Sequence, residues 1–158
     1  MSRLPALGPR GEGWVVIQFL LLGLVVLAGV AGPAYAGPFS AAARAAGLAL
    51  VVAGLVLAAR GLLDLRDALT PLPHPRDGAA LVDTGSYRLV RHPIYGGIVL
   101  GSTGYALVVG SPLALAGAAI LLAFFRLKSG REEAWLREHY PAYQAYATRT
   151  KRMIPWVY

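Results

Sequence analysis

A chain of 158 residues is long enough for one domain, and an apolar fraction of 56% with a mean hydropathy of +0.55 places it in a bilayer rather than in water. It contains no cysteine, which excludes disulfides, thiol nucleophiles and cysteine-ligated metals. The net charge of +7 does not mark a nucleic-acid binder, because the basic residues flank hydrophobic runs instead of gathering in a soluble module with interleaved aromatics.

Met1 to Gly13 is a polar lead carrying Arg3 and Arg10, and Trp14 to Ala31 is a first apolar run with an interfacial Trp at its start. Basic residues before that run and the small-x-small pattern Ala34-Tyr35-Ala36 have the look of a secretory signal. The run is nevertheless longer than the ~7 to 15 residues of a signal core, so it reads as a span. Gly32 to Ala43, with Pro33 and Pro38, is a tight turn. Arg44 to Leu63 is a second span, in which Ala45, Ala46, Ala49, Ala53 and Gly54 permit close helix packing, and it ends in the cluster Arg60, Asp64, Arg66 and Asp67.

Thr70 to Asp83 (TPLPHPRDGAALVD) is too rich in proline for a helix interior and reads as a loop, with His74 between two prolines as a loop-packing residue. Gly85 to Gly97 (GSYRLVRHPIYGG) then gathers two arginines, a histidine and two tyrosines directly before an apolar run. Pro93 suits the first turn of a helix, so Arg91 and His92 stand at its mouth beside unpaired amide donors, a place that attracts anions. Ile94 to Val109 and Leu113 to Leu127 are joined by Gly110-Ser111-Pro112, too short for anything but an antiparallel hairpin, which returns Lys128 to the side of His92.

Lys128 to Tyr158 forms a polar tail. Glu133 and Arg137 have the spacing of a helical ion pair, and Pro141 starts a short helix. Tyr140, Tyr143 and Tyr146 make an aromatic stripe, with Trp135 and Trp156 as interfacial anchors. Lys and Arg concentrate in the lead, the central loop and the tail, and neither turn between spans carries any, which puts both termini in the cytoplasm. His74, His92 and His139 lack ligand spacing, so no metal is expected. The expected fold is an all-α integral membrane protein, one membrane domain over 1–158, with four transmembrane helices near 14–31, 44–63, 94–109 and 113–127. A cytoplasmic loop over 64–93, a C-terminal helical hairpin and a cytoplasmic amphipathic tail over 128–158 complete it.

The ordered set Arg91-His92-Pro93-Ile94-Tyr95-Gly96-Gly97, a hydrophobic hairpin, Glu132-Glu133, then Tyr143, Tyr146, Arg149 and Pro155, with Gly85-x-Tyr87-Arg88 leading in, resembles the isoprenylcysteine carboxyl methyltransferase and phospholipid methyltransferase group of membrane enzymes. The pattern shared with that group is RHPxYxG, an apolar stretch, then EE, and the resemblance covers roughly Leu69 onward. It implies S-adenosylmethionine as cofactor in a cytoplasm-facing pocket of the cell (inner) membrane. The acceptor it implies is a lipid or a lipid-modified small molecule or peptide, reaching the pocket sideways through the bilayer. Under this resemblance the cofactor falls to His92, Tyr95, Gly96, Glu132, Glu133, Tyr87 and Tyr143, and the catalytic work to Arg91, His92 and Arg149.

These residue types suit the chemistry. Arg91, His92 and the helix-opening amides receive the cofactor carboxylate; Glu132 or Glu133 accepts from its ammonium or ribose; the tyrosines pack on adenine or favour the sulfonium. Arg149 or Arg88 holds an acceptor carboxylate or phosphate, and an amine acceptor would give its proton to His92 or a glutamate. Two other readings stand beside this one. Membrane sterol and enone reductases, which use a nicotinamide cofactor, share an RHP-type motif but usually as RHPNYxG, where this chain has Ile94. A non-enzymatic four-helix membrane protein, such as a small transporter subunit, is the other, although, apart from Arg44 and Arg60 near the ends of the second run, Arg126 is the sole charge within the hydrophobic runs and can snorkel.

Overall fold

The computed structural model describes residues 5–32, 34, 40–70, 72, 74 and 78–155, the side chain of Asp67 excepted. The readings made for Arg3, the Ala34-Tyr35-Ala36 pattern, the prolines at 33, 38, 71, 73 and 75, Asp77 and Trp156 lie wholly or mainly outside these residues. The described residues form helices α1 (Glu12–Ala31), α2 (Ser40–Leu65), α3 (Pro93–Val109), α4 (Pro112–His139) and α5 (Tyr143–Arg149), with 3-10 turns at Arg66–Ala68 and Gly85–Arg88. Among them there is no strand, only an isolated parallel bridge between Val90 and Lys151.

Helix α2 packs along α3, α3 against α4, and α4 against α1. The α2–α3 seam is made of glycine. Gly47, Gly54 and Gly61 are buried at seven-residue spacing, which keeps them on one face of α2. A Cβ on Gly54 would stand 2.5 Å from the Gly97 carbonyl oxygen and 2.6 Å from the Gly101 amide nitrogen, so the backbones meet where only hydrogen fits. Ala45, Ala46, Ala49 and Ala53, expected to share this seam with Gly54, are exposed instead. Small size alone did not separate them from the glycines; the heptad spacing does.

The α3–α4 hairpin forms as its short connection requires. Gly110 takes the left-handed conformation (φ 67°) that ends α3, and the Ser111 hydroxyl oxygen accepts from the Ala114 amide at 3.2 Å to open α4. The same hydroxyl donates to the Ala28 carbonyl at 2.9 Å, fastening the hairpin tip to α1. Helix α4 does not stop where its apolar run stops at Leu127. It continues through KSGREEAWLREH, whose residues apart from Ser129 and Gly130 mostly favour helix, to His139, and so spans about 42 Å at 1.5 Å per residue. Helix α5 begins at Tyr143, after a turn at Pro141 and Ala142, leaving Tyr140 outside it.

Helices α1, α2 and α4 are each long and apolar enough to cross a membrane; α3, at 17 residues, is shorter. Large apolar side chains such as Phe19, Leu20, Leu24, Leu48 and Leu55 point outward, an arrangement that a bilayer rewards and water does not. The interior is small. Trp14, expected as an interfacial anchor, is 4% exposed, with its ring 5.6 Å from that of Phe124, and its indole N–H donates to the Pro5 carbonyl.

Candidate functional site

The segment before α3 is fixed at both ends. Asp64, at the end of α2, accepts from both the amide and the hydroxyl of Ser86 at 2.7 Å, and Gly85, at φ 59°, lies so close to that carboxylate that a side chain would displace it. Farther on, the Arg91 and His92 amides donate to the carbonyls of Lys151 and Arg152, each at 2.8 Å. Lys151 to Met153 are thereby laid across the start of α3. Gly96 makes this possible, because a Cβ there would run into the Met153 carbonyl.

One carboxylate ties these parts together. Glu133 is fully buried and accepts from Arg91 Nε at 3.0 Å, Arg137 Nη2 at 3.0 Å and Arg152 Nε at 3.2 Å, with His92 Nε2 3.3 Å away. The sequence reading of a Glu133–Arg137 helical pair holds, but it is the least of the four contacts, since Arg137 is the most exposed of the three arginines. Arg91 has a second duty: its guanidinium donates to the carbonyls of Ala147 and Thr150, a cation closing the C-terminal end of α5.

In front of this cluster lies a cavity of about 340 Å³, walled by α1, α2, the central loop, α3, α4 and the Tyr140–Tyr146 segment. Arg91, His92, Tyr95, Lys128, Glu132 and Tyr143 give its wall polar groups, and Val15, Phe19, Leu62, Leu65, Leu69 and Ile94 give it apolar surface. The Tyr95 ring stacks on His92 at 5.4 Å and on Phe125 at 4.7 Å, and its hydroxyl donates to Glu132 Oε2 at 2.8 Å. His92 Nδ1 is 3.7 Å from the same Glu132 oxygen, so the imidazole sits between the two glutamates. Glu132 faces the cavity; Glu133 lies behind the wall and holds Arg91 and His92 in it.

The tyrosines form the far side. Tyr146 donates to the Tyr87 carbonyl at 2.7 Å, and burial pushes the phenols of Tyr87, Tyr143 and Tyr146 well above the usual range, keeping them neutral donors. Tyr143 is 1% exposed, yet its hydroxyl has no hydrogen-bond partner among the described residues. An unpaired buried hydroxyl costs about 1 to 3 kcal/mol, so its position in a cavity wall fits a polar atom of a ligand. Arg149 stands elsewhere. Its side chain is 60% exposed, it pairs with Asp83 at 2.6 Å, and it does not line the cavity; Arg88 is likewise exposed.

Three residues singled out for little or nothing in the sequence line this cavity. His74, read as a loop-packing residue, reaches it with its ring edge-on to Trp135 at 5.5 Å. Gln18 and Lys128 do so as a pair, with Lys128 Nζ donating to Gln18 Oε1 at 2.5 Å. Gln18 had a signal of its own, as the one polar side chain in the apolar run from Trp14 to Ala31. Among the described residues no group of three or more metal-ligating side chains stands together.

Comparison with known proteins bears on this geometry. A family model described as phospholipid methyltransferase matches residues 42–143. Protein-S-isoprenylcysteine O-methyltransferase B of Arabidopsis thaliana is 29% identical over 115 residues, covering 70% of this chain and 58% of the relative. A probable protein-S-isoprenylcysteine O-methyltransferase of Oryza sativa subsp. indica is 29% identical over 115 residues, with coverage of 70% and 60%. The chain thus spans about three fifths of the length of the curated relatives it matches. The family match runs from the start of α2 to the first residue of α5 and takes in the glycine seam, the segment before α3 and both glutamates; the chain belongs to the phospholipid methyltransferase family.

Proposed function

We propose that this protein transfers a methyl group from S-adenosylmethionine to a lipid or lipid-modified, isoprenylcysteine-like acceptor. The reaction takes place at the cytoplasmic face of the cell (inner) membrane, with α1 to α4 as four spans and both termini cytoplasmic. Helix α3, about 25 Å long at 1.5 Å per residue, crosses where the bilayer thins or where its polar start extends it. The observation that carries the reading is the cavity, lined by apolar side chains together with a carboxylate, a glutamate-held imidazole and a buried tyrosine hydroxyl that lacks a partner among the described residues.

The residues present suit the cofactor. A volume of about 340 Å³ falls within the ~300 to 1,000 Å³ of small-molecule sites, and the polar groups are few and convergent. Glu132 accepts from an ammonium or a ribose hydroxyl, Tyr143 supplies the hydroxyl left unpaired, and the ring of Tyr87 favours adenine or a sulfonium. When bound, S-adenosylmethionine supplies an electrophilic methyl on a sulfonium, open to direct displacement. The protein's part is then alignment and exclusion of water, which for well-oriented reactants is worth several kcal/mol. His92 takes the proton when the acceptor is an amine, and a carboxylate acceptor needs no base. Glu133, Arg91 and Gly96 act through position, holding His92 and the Lys151–Met153 segment in register; Arg149, through Asp83, ties α5 to the central loop.

Support comes from the family and from the relatives, which are named as O-methyltransferases of isoprenylcysteine. The test is methyl transfer by purified protein in nanodiscs, from S-adenosylmethionine labelled in its methyl group, offered either S-prenylated cysteine or phospholipid amines. Label in neither acceptor, together with stabilisation by a reduced nicotinamide cofactor and none by S-adenosylhomocysteine, would replace this reading with that of a reductase.

A further inference from the structure

Lys128 lies at the boundary between the apolar and polar halves of α4 and is 1% exposed. Among the described residues its Nζ makes one hydrogen bond, to the neutral Gln18 amide, and it stands 5.0 Å from the centre of the Tyr95 ring. Among the described residues no carboxylate is within ion-pair distance of it; Glu132, one turn along, accepts instead from the Tyr95 hydroxyl. This buried ammonium feels the Glu132 charge without contacting it, and among the described residues its three donors are served by one amide oxygen and an aromatic face. It lines the same cavity as Glu132 and, at 1.5 Å per residue, sits about 6 Å nearer the apolar part of α4. A molecule coming from the acyl region meets Lys128 before it meets Glu132.

We propose that Lys128, held by Gln18 and Tyr95, is the acceptor-side anchor, which takes an anionic headgroup, carboxylate or phosphate, on a lipid-borne acceptor and disfavours cationic amine headgroups. The inference rests on the methyl-transfer reading and narrows its acceptor class. Gln18 aims the ammonium and Tyr95 stabilises it while the site is empty of anion, so specificity arises from attraction to one headgroup charge and repulsion of the other.

The test measures equilibrium binding of farnesyl amphiphiles that share a tail and differ in head: carboxylate, phosphate, neutral amide and amine. Wild type, Lys128→Met and Lys128→Arg are compared, with S-adenosylhomocysteine binding measured on each. Wild type is expected to hold one or both anionic heads at least tenfold tighter than the amide, and the two anionic arms say which source is meant. Lys128→Met removes that preference and raises KM for the anionic acceptor about tenfold or more, Lys128→Arg restores most of it, and affinity for S-adenosylhomocysteine is unchanged. Equal binding of all heads by wild type, or a loss of S-adenosylhomocysteine binding in Lys128→Met as large as in Glu132→Gln, overturns the assignment. Head-group preference without any S-adenosylhomocysteine binding would instead sink the methyl-donor reading and leave the anion anchor standing.

Discussion

Replacing Glu133 by Gln removes one negative charge and almost no volume, from a position where two largely shielded guanidinium groups and a more exposed third converge. The side chains of Arg91, Arg152 and Arg137 are 11%, 27% and 44% exposed, and the carboxylate is fully buried. Taking away one partner of a buried ion pair costs about 3 to 5 kcal/mol, because the cations left behind are uncompensated. Arg137 adds little to that, about 0.5 kcal/mol, since water already screens it. The amide also turns an N–H toward guanidinium N–H groups. A loss of about 3 to 5 kcal/mol in a chain of this length lowers the melting temperature by roughly 10 °C. The loss is also local, because Arg91 carries Glu133's hold to the end of α5 and Arg152 carries it to the segment Lys151 to Met153. Thermal unfolding in detergent, with limited trypsin cleavage at Lys151 and Arg152, reads both effects. If Glu133→Gln melts within about 1 kcal/mol of wild type and its C-terminal segment resists trypsin equally, Glu133 is not the clamp described above.

Other substitutions separate binding from folding. Glu132→Gln is expected to leave the melting temperature within a few degrees of wild type while weakening S-adenosylhomocysteine at least tenfold, about 1.4 kcal/mol, by calorimetry. Tyr143→Phe removes a hydroxyl that has no partner in the ligand-free protein, so stability should hold or rise by about 1 kcal/mol as cofactor affinity falls; a fall in both would mean that the hydroxyl serves the fold. Gly54→Ala places a methyl against the α3 backbone and should cost more than about 2 kcal/mol in thermal unfolding, whereas Gly23→Ala, with open space around it, should be neutral or stabilising by up to about 1 kcal/mol. Arg149→Ala breaks an exposed pair and should cost less than about 1 kcal/mol; a large loss in kcat/KM at unchanged stability would bring Arg149 back to the acceptor.

The helices were legible because apolar runs and proline and glycine punctuation act locally. Pro93 opens α3 and Gly110 closes it, where sequence alone puts them. The hairpin then follows from chain length, and with it the meeting of His92 and Glu132. What stayed hidden depends on rotation about a helix axis. Glu132 and Glu133 are neighbours in sequence, but a turn of about 100° between them sends one to the cavity and the other behind it. The full length of α4 is not legible in hydropathy, which reports where lipid stops and not where the helix does. Tyr143 and Tyr146 look like an aromatic stripe for the membrane surface; they are buried because the chain folds back over α3 through the backbone pairing of Arg91 and His92 with Lys151 and Arg152.

The most direct test of the account is a calorimetric titration of S-adenosylhomocysteine into purified protein in nanodiscs, with NADPH in a parallel cell. Saturable one-site binding of the former, weakened in Glu132→Gln and Tyr143→Phe and absent for NADPH, is the expected result. No heat from S-adenosylhomocysteine in a protein that unfolds cooperatively, or binding that both substitutions leave untouched, would contradict it.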